Sequence, residues 1–424
     1  MAAGTTGTAE LTNSLQEILT IEAQFEAART QVFGQFPMVP ADGAISGPDA
    51  GQTVKMRFLP RLPIKTDTIN EKADITPRKV GDEYVDITIN EYGDAVQITK
   101  FAEIVTKGDL RSETGRRVAE QMVASLDRLA GRQYYEGQNF VFRANGVSAR
   151  SGLDAANDTL ADTTVGHSFL ERLQTALRSS RTPGFREDSQ GVDFYSTVIH
   201  PVLRPDVTET AGYITALQYQ SGRDQLFNGE LGDVRGLRIM VSEQAKVYPG
   251  AGTAAQSATT LSASAVAGAT TITVADATGL SVGDVITVGT LEDGSTVTSE
   301  TSASTTENVL ITAVNSNTLT IAGLGFASSG IDTPGLRFAH SSGESVVEAA
   351  LVAAIPVFGP QSVMKAYASE VGEFGMTKVT GPFDVLERFL NIAWYAVMGW
   401  NKTNGLWTAR GEVATQVPHL VYNE

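Results

Sequence analysis

The sequence predicts an α+β fold whose main part is interrupted by a small all-β domain. Three observations carry that prediction. Residues 109–136 hold the strongest helical stripe of the chain. Short stretches on either side of it alternate apolar and polar residues with the period of a strand. Between Lys246 and Arg337 the composition changes abruptly: no lysine or arginine occurs, and 28 of the 80 residues from Ala251 to Gly330 are Ser or Thr.

Length and composition set bounds. At roughly 150 residues per domain, 424 residues correspond to about three domains. The balance of 32 basic against 48 acidic residues gives a net charge of −16. A free nucleic-acid binder needs a basic excess to neutralise phosphates, so that class is disfavoured. Cysteine is absent, which excludes disulfide frameworks, thiolate metal sites and cysteine nucleophiles and suits a reducing cytoplasm. Residues 1–11 lack a basic and then apolar leader pattern. No stretch reaches the ~18 apolar residues of a membrane span; Val346–Phe358 is broken by Glu348 and Pro356. The expectation is a soluble protein that stays where it is made.

In chain order, residues 10–36 read as helix, with Leu11, Leu15, Ile18, Leu19, Phe25 and Val32 near three- and four-residue spacing. Pro37, Pro40, Gly43, Gly47 and Pro48 then mark an irregular connection. Residues 52–100 read as a long two-stranded excursion. Val54, Met56 and Phe58 alternate on one strand and Val85, Ile87 and Ile89 on the other; the parity then switches, with a bulge expected at Gly93. Pro60 to Gly81 connects the strands and is too long for a tight turn. It carries Arg61, Lys65, Lys72, Arg78 and Lys79 against Asp67, Glu71 and Asp74. Two readings stay open here: a solvated flap, or an arm that lies on a neighbouring subunit.

Helix 109–136 carries the stripe Val118, Met122, Leu126 and Leu129 and spans on the order of 40 Å. A second helix is expected over 168–180, with Ser168 and Glu171 at capping-box spacing. Phe194 to His200 reads as a strand closed by Pro201, a short helix starts at Pro201 or Pro205, and Leu237 to Ser242 is a further strand. Inside the Ser/Thr-rich region, 271–275, 285–288, 309–314 and 318–321 alternate as strands, with turns at Gly283-Asp284 and Asn315 to Asn317. Such regular alternation predicts an inserted all-β domain over 251–332 rather than a linker. Beyond it, 345–356 reads as β, 358–368 as helix and 385–399 as strand.

A search for chemistry finds little. His167, His200, His340 and His419 are far apart and lack metal-ligand spacing. Nucleophile-elbow and phosphate-loop motifs are absent. No enzyme activity, catalytic residue, metal or cofactor is therefore expected.

The order of elements, with three local segments, carries a resemblance. The segments are Phe194-Tyr-Ser-Thr-Val-Ile-His-Pro201, the stretch Gly229 to Glu243, and Val357-Phe-Gly-Pro360 with the alanine-rich stretch behind it. Together they resemble the HK97-like fold of tailed-phage major capsid proteins, and within it the coliphage N4-type capsid family. The resemblance covers roughly residues 10–248 and 337–415. It implies an N-terminal arm (1–51), an extended β-loop (52–100), a peripheral domain with the spine helix (101–189), an axial domain in two parts (190–250 and 333–424) and the β-insertion (251–332). It implies self-assembly into hexamers and pentamers of an icosahedral shell enclosing double-stranded DNA that is contacted non-specifically. The implied place is the virion, assembled in the host bacterial cytoplasm without a membrane. Scaffolding, portal and decoration proteins are the implied partners, and Arg61, Lys65, Asp67, Glu71, Lys72, Asp74, Arg78 and Lys79 become inter-subunit contacts. The alternative on the same fold is an encapsulin-type nanocompartment shell.

Overall fold

The computed structural model describes residues 31–40, 44–45, 53–58, 62, 64–66, 68, 83–106, 109–136, 140–154, 169–187, 192–209, 230–234, 236–248, 251–252, 254–289, 306–323, 335–349, 351–383 and 388–415. The result is a mixed α/β, sheet-rich protein with few helices. It divides into two units: 1–133 with 360–404, and 134–359 with 405–424.

In the first unit a five-stranded sheet is built around strand Phe389–Lys402. That strand pairs antiparallel with Val363–Ala368, Met376–Phe383 and Asn90–Thr99, while Ala44–Ile45 runs parallel to Val363–Ala368. Its side chains obey the two-residue period: Ile392, Trp394, Ala396 and Met398 are buried on one face. Against that face packs the long helix Leu110–Tyr135, through the Val118, Met122 and Leu126 stripe read from the sequence. Asp109 caps the helix by accepting the N–H of Ser112 at 3.2 Å.

Strands Thr53–Phe58 and Glu83–Thr88 form a two-stranded antiparallel ribbon. Met56, Ile87 and Ile89 root it against Met364 and Ala366. The predicted excursion therefore holds only as far as Thr88; Asn90–Thr99 leaves the ribbon and joins the five-stranded sheet. The parity switch falls at Ile89, between the two strands, and not at Gly93. Register runs unbroken through the pair Gly93 and Tyr395. Glycine is needed there because a Cβ would sit 2.7 Å from the Trp394 carbonyl oxygen.

The second unit contains an eight-stranded mixed sheet. Its order is Phe140–Arg143, Thr408–Thr415, Leu351–Phe358, Val192–Ile199, Leu237–Val241 and Glu230–Val234, with Val247–Tyr248 and Phe185–Glu187 on side branches. Leu351–Phe358 and Thr408–Thr415 are buried at every position and pair over eight residues. Helix Phe169–Ser179 covers them: a Cβ on Gly411 would meet Phe169 and Leu173.

Six further strands make a closed barrel: Ala254–Thr260, Ser345–Ala349, Val285–Val288, Glu307–Asn315, Thr318–Gly323 and Thr271–Thr273, all antiparallel. The bridge between Leu261 and Val274 closes the ring. Its core includes Ile272, Val274, Ile286, Val288, Val309, Ile311, Leu319, Ile321, Leu336 and Val346. Barrel structure thus continues past residue 332 to Ala349, and its first and last strands are hydrogen-bonded neighbours, with Ala254 opposite Ala349.

Two other expectations are corrected. Residues 358–368 are not helical: Phe358 ends one strand, Gln361 sits at φ 64°, and Val363–Ala368 is a strand. The left-handed residue stops a helix, and pairing with Phe389–Lys402 overrides the helix propensity of Met, Lys and Ala. Residues 31–36 form bends, not the end of a helix, and residues 1–30 lie outside the described ones, as does Ser168. The other predicted elements occur: helices Leu110–Tyr135, Phe169–Ser179 and Arg204–Glu209, and strands Val192–Ile199, Leu237–Val241, Val285–Val288 and Thr318–Gly323.

Opposed residues of an antiparallel pair have Cα atoms about 5 Å apart. Replacing residues 254–349 with a short Gly/Ser linker should therefore leave one cooperative thermal transition in the remaining chain. Removing 252–330 alone should lower the melting temperature and promote aggregation, because Leu336 and Val346 lose their core. Calorimetry of the two deletions checks both.

Candidate functional site

Among the described residues no group of three or more His, Asp or Glu side chains could hold a metal. His200 is structural: it caps the helical turn Pro201–Leu203 by accepting the Val202 N–H at 3.2 Å. Burial lowers its pKa to about 4. His340 lies in the barrel, and His167 and His419 are outside the described residues. No described helix is long and apolar enough to cross a membrane.

The functional features of the described chain are surfaces and the interior charges that stiffen them. Helix Lys100–Val105 starts on Thr99, whose hydroxyl accepts the Ala102 N–H at 3.2 Å, and Arg111 reaches Glu103 at 3.2 Å. It buries none of its residues. Phe101, Ile104 and Val105 are 77%, 74% and 64% exposed. At about 25 cal/mol per Å² these side chains favour cover by another surface. Leu62 and Ile64 are likewise exposed, as is Tyr84 on the ribbon. Of the predicted contact residues, Lys65 is described and is exposed to solvent; Arg61, Asp67, Glu71, Lys72, Asp74, Arg78 and Lys79 lie outside the described residues. The sequence reading missed the apolar helix. Its signal was the pattern of Phe101, Ile104 and Val105 immediately after an alternating strand.

Two buried carboxylates brace the units that carry these surfaces. In the second unit Glu412 is fully buried and receives Arg150 at 2.7 Å, Arg143 at 2.8 Å and Arg410 at 3.1 Å. Arg410 also donates to the Tyr135 carbonyl at 2.8 Å, and the Arg150 guanidinium lies 3.4 Å from the Tyr248 ring centroid. Burial pushes the Glu412 pKa up, but the hydrogen bond and charge of Arg150, with Arg410 and Arg143, hold it below the usual value. Strand Phe140–Arg143 and the turn at Arg150 are thereby fixed to the strand that carries the carboxylate.

In the first unit Asp127 of the long helix is buried and accepts the N–H groups of Val32 at 3.1 Å and Gly34 at 2.8 Å. This anchors the segment before Pro37 to the helix. Burial pushes its pKa up to about 6 despite those bonds.

The three segments that carried the resemblance are local structural devices. Phe194–Pro201 is a strand and its cap, 230–241 is a hairpin turning at Gly236 with φ 76°, and Val357–Pro360 ends a buried strand. Glycine is required at Gly359, where a Cβ would lie 2.1 Å from the Pro183 carbonyl oxygen.

The structure is similar to phage capsid structures. The capsid of Ralstonia phage GP4 matches at a TM-score of 0.52 with 11% identity, over 92% of this chain and 93% of that one. The capsid of cyanophage P-SCSP1u aligns at a TM-score of 0.49 with 12% identity, over 92% and 89%. The GP4 match places this chain in a phage capsid fold. No protein-family model matches the chain. No curated protein matches it in sequence.

Two outcomes are expected. Glu412→Gln should cost about 3–5 kcal/mol in denaturant unfolding, because it leaves buried arginines without their carboxylate. With its folded pKa depressed, the Glu412 contribution is present above about pH 4.5 and is lost as pH falls through the lower folded value. Asp127 has the opposite sign. Its folded pKa of about 6 exceeds the 3.8 of the free group, so its ionisation costs stability as pH rises through that interval. Asp127→Asn keeps an acceptor and should flatten stability between pH 4 and pH 6.5; urea titrations across that range test it.

Proposed function

We propose that this chain is the major capsid protein of a tailed bacteriophage, with an HK97-like architecture and affinity to the coliphage N4-type family. The observation that carries the reading is the fold shared with the Ralstonia phage GP4 capsid over more than nine tenths of both chains. The exposed apolar helix Lys100–Val105 and the ribbon Thr53–Phe58 with Glu83–Thr88 support it, because a shell subunit must meet several neighbours at once.

In this reading the chain assembles into hexamers and pentamers that close an icosahedral head around double-stranded DNA. The extended loop reaches an adjacent subunit, with Arg61, Lys65, Asp67, Glu71, Lys72, Asp74, Arg78 and Lys79 fixing register through charge complementarity. The long helix is the spine of a peripheral domain, the eight-stranded sheet belongs to an axial domain, and the barrel is an insertion carried by that sheet. Net negative charge keeps the lining from gripping DNA during packaging. Scaffolding and portal proteins act in assembly, a decoration protein binds the finished surface, and the product is the virion head.

Negative-stain electron microscopy of the expressed protein, alone and with the products of neighbouring genes, tests this. Closed shells or ring-shaped capsomers are expected; a persistent monomer in both samples would overturn it. Phe101→Asp combined with Ile104→Asp should abolish shells while the subunit melts as before. Lys65→Glu with Lys72→Glu should also impair assembly, and normal shells from that double variant would remove the arm from the interface.

A further inference from the structure

One buried histidine of the barrel bonds through both ring nitrogens, and both bonds go to carboxylates. His340 Nε2 lies 2.8 Å from Glu307 Oε1, and Nδ1 lies 2.7 Å from Glu344 Oε2. The imidazole is fully enclosed and the Glu307 side chain nearly so. A neutral imidazole carries one N–H, so it can donate to only one of the two. Its other nitrogen would then aim a lone pair at a carboxylate oxygen in a dry interior. Only the imidazolium satisfies both bonds while the carboxylates stay ionised.

The same two carboxylates hold the backbone. Glu307 accepts the N–H of Arg337 at 2.7 Å and of Phe338 at 3.0 Å, and Glu344 accepts the N–H of Ser341 at 3.0 Å. Leu336, next in the chain, is a buried core residue. On the other side Ala265 exchanges backbone hydrogen bonds with His340 at 2.9 and 2.8 Å. The stretch Leu261–Ala265 has no ionisable side chain. The Arg337 guanidinium lies over the Phe338 ring, 5.3 Å from its centroid. Glu348 is pushed above its usual value by burial and by the like charge of Asp284. Among the described residues, Glu307 and Glu344 are the charged groups bonded to the ring.

We propose that Glu307, His340 and Glu344 form a proton-held clasp that fastens residues 337–344 to the barrel, and that loss of the imidazole proton releases this stretch. The stretch that leads into strand Ser345–Ala349 becomes the pH-sensitive part of the barrel. Burial alone pulls the His340 pKa down, but the hydrogen bonds and charges of Glu307 and Glu344 outweigh it and leave it above the usual 6.5. The clasp is thus fully formed below pH 6.5 and is lost as pH rises through the raised value. On the acid side Glu344, held below its usual 4.5, keeps the clasp until pH falls through its folded pKa. The clasp does not depend on the shell reading.

Arg337 is the single lysine or arginine between Lys246 and Lys365, so trypsin reports the opening directly. Cleavage of the full-length protein after Arg337 is followed by mass spectrometry from pH 6.5 to pH 9. Each rate is divided by that of a free peptide spanning residues 330–345 at the same pH. The ratio should rise steadily with pH across this range. In His340→Gln it should already be high at pH 6.5 and stay flat. A flat ratio in the unaltered protein, or a variant that tracks it at every pH, overturns the clasp. In case the variant misfolds, deuterium exchange at the imidazole C2 of His340 gives its titration in the unaltered protein. A midpoint above 6.5 supports the clasp, and one at or below 6.5 refutes it.

Discussion

A strand buried along its whole length must find a partner for every peptide group, and in the second unit that demand falls on Leu351–Phe358. Each of its eight residues is enclosed. Thr408–Thr415 pairs with it throughout on one side, while Val247–Tyr248 and part of Val192–Ile199 pair with it elsewhere along its length. An unpaired buried peptide group costs about as much as a lost hydrogen bond. Register in the eight-stranded sheet is therefore set by this strand. Pro356 is tolerated because it has no N–H to place, while its carbonyl accepts the Thr197 hydroxyl at 2.8 Å.

The first unit solves a different problem, because among the described residues one face of its sheet is covered by the helix Leu110–Tyr135. Phe389–Lys402 alternates buried and half-buried residues, and the long helix supplies a matching stripe. Its two-stranded ribbon has a small apolar root at Met56, Ile87 and Ile89. The two units also treat charge differently. Asp127 gathers backbone N–H groups and titrates near neutrality, whereas Glu412 gathers three guanidinium groups and stays ionised.

What could be read in the sequence follows from the range of each interaction. The long helix was legible because its stripe repeats within one turn, and the barrel strands because alternation repeats every two residues. Gly93 was misjudged because the parity switch was visible but the partner strand, about 300 positions later, was not. Residues 358–368 were misread because helix-forming side chains outweighed an unseen sheet partner. The end of the barrel was placed early because Ser345–Ala349 and Leu351–Phe358 make one apolar run, and only pairing divides them between two sheets. The Glu412 centre was invisible because its arginines at 143 and 150 lie 269 and 262 positions away. Of the predicted contact residues, Lys65 stands at the described surface, and the apolar helix beside the ribbon's continuation was overlooked.

The side-by-side entry and exit strands of the barrel have a geometrical meaning. A body whose two ends are neighbours occupies a single point on its host sheet, whatever its size. The chain thus enters and leaves the barrel at one place, Ala254 opposite Ala349, while Leu351–Phe358 is bound by its own pairing with Thr408–Thr415.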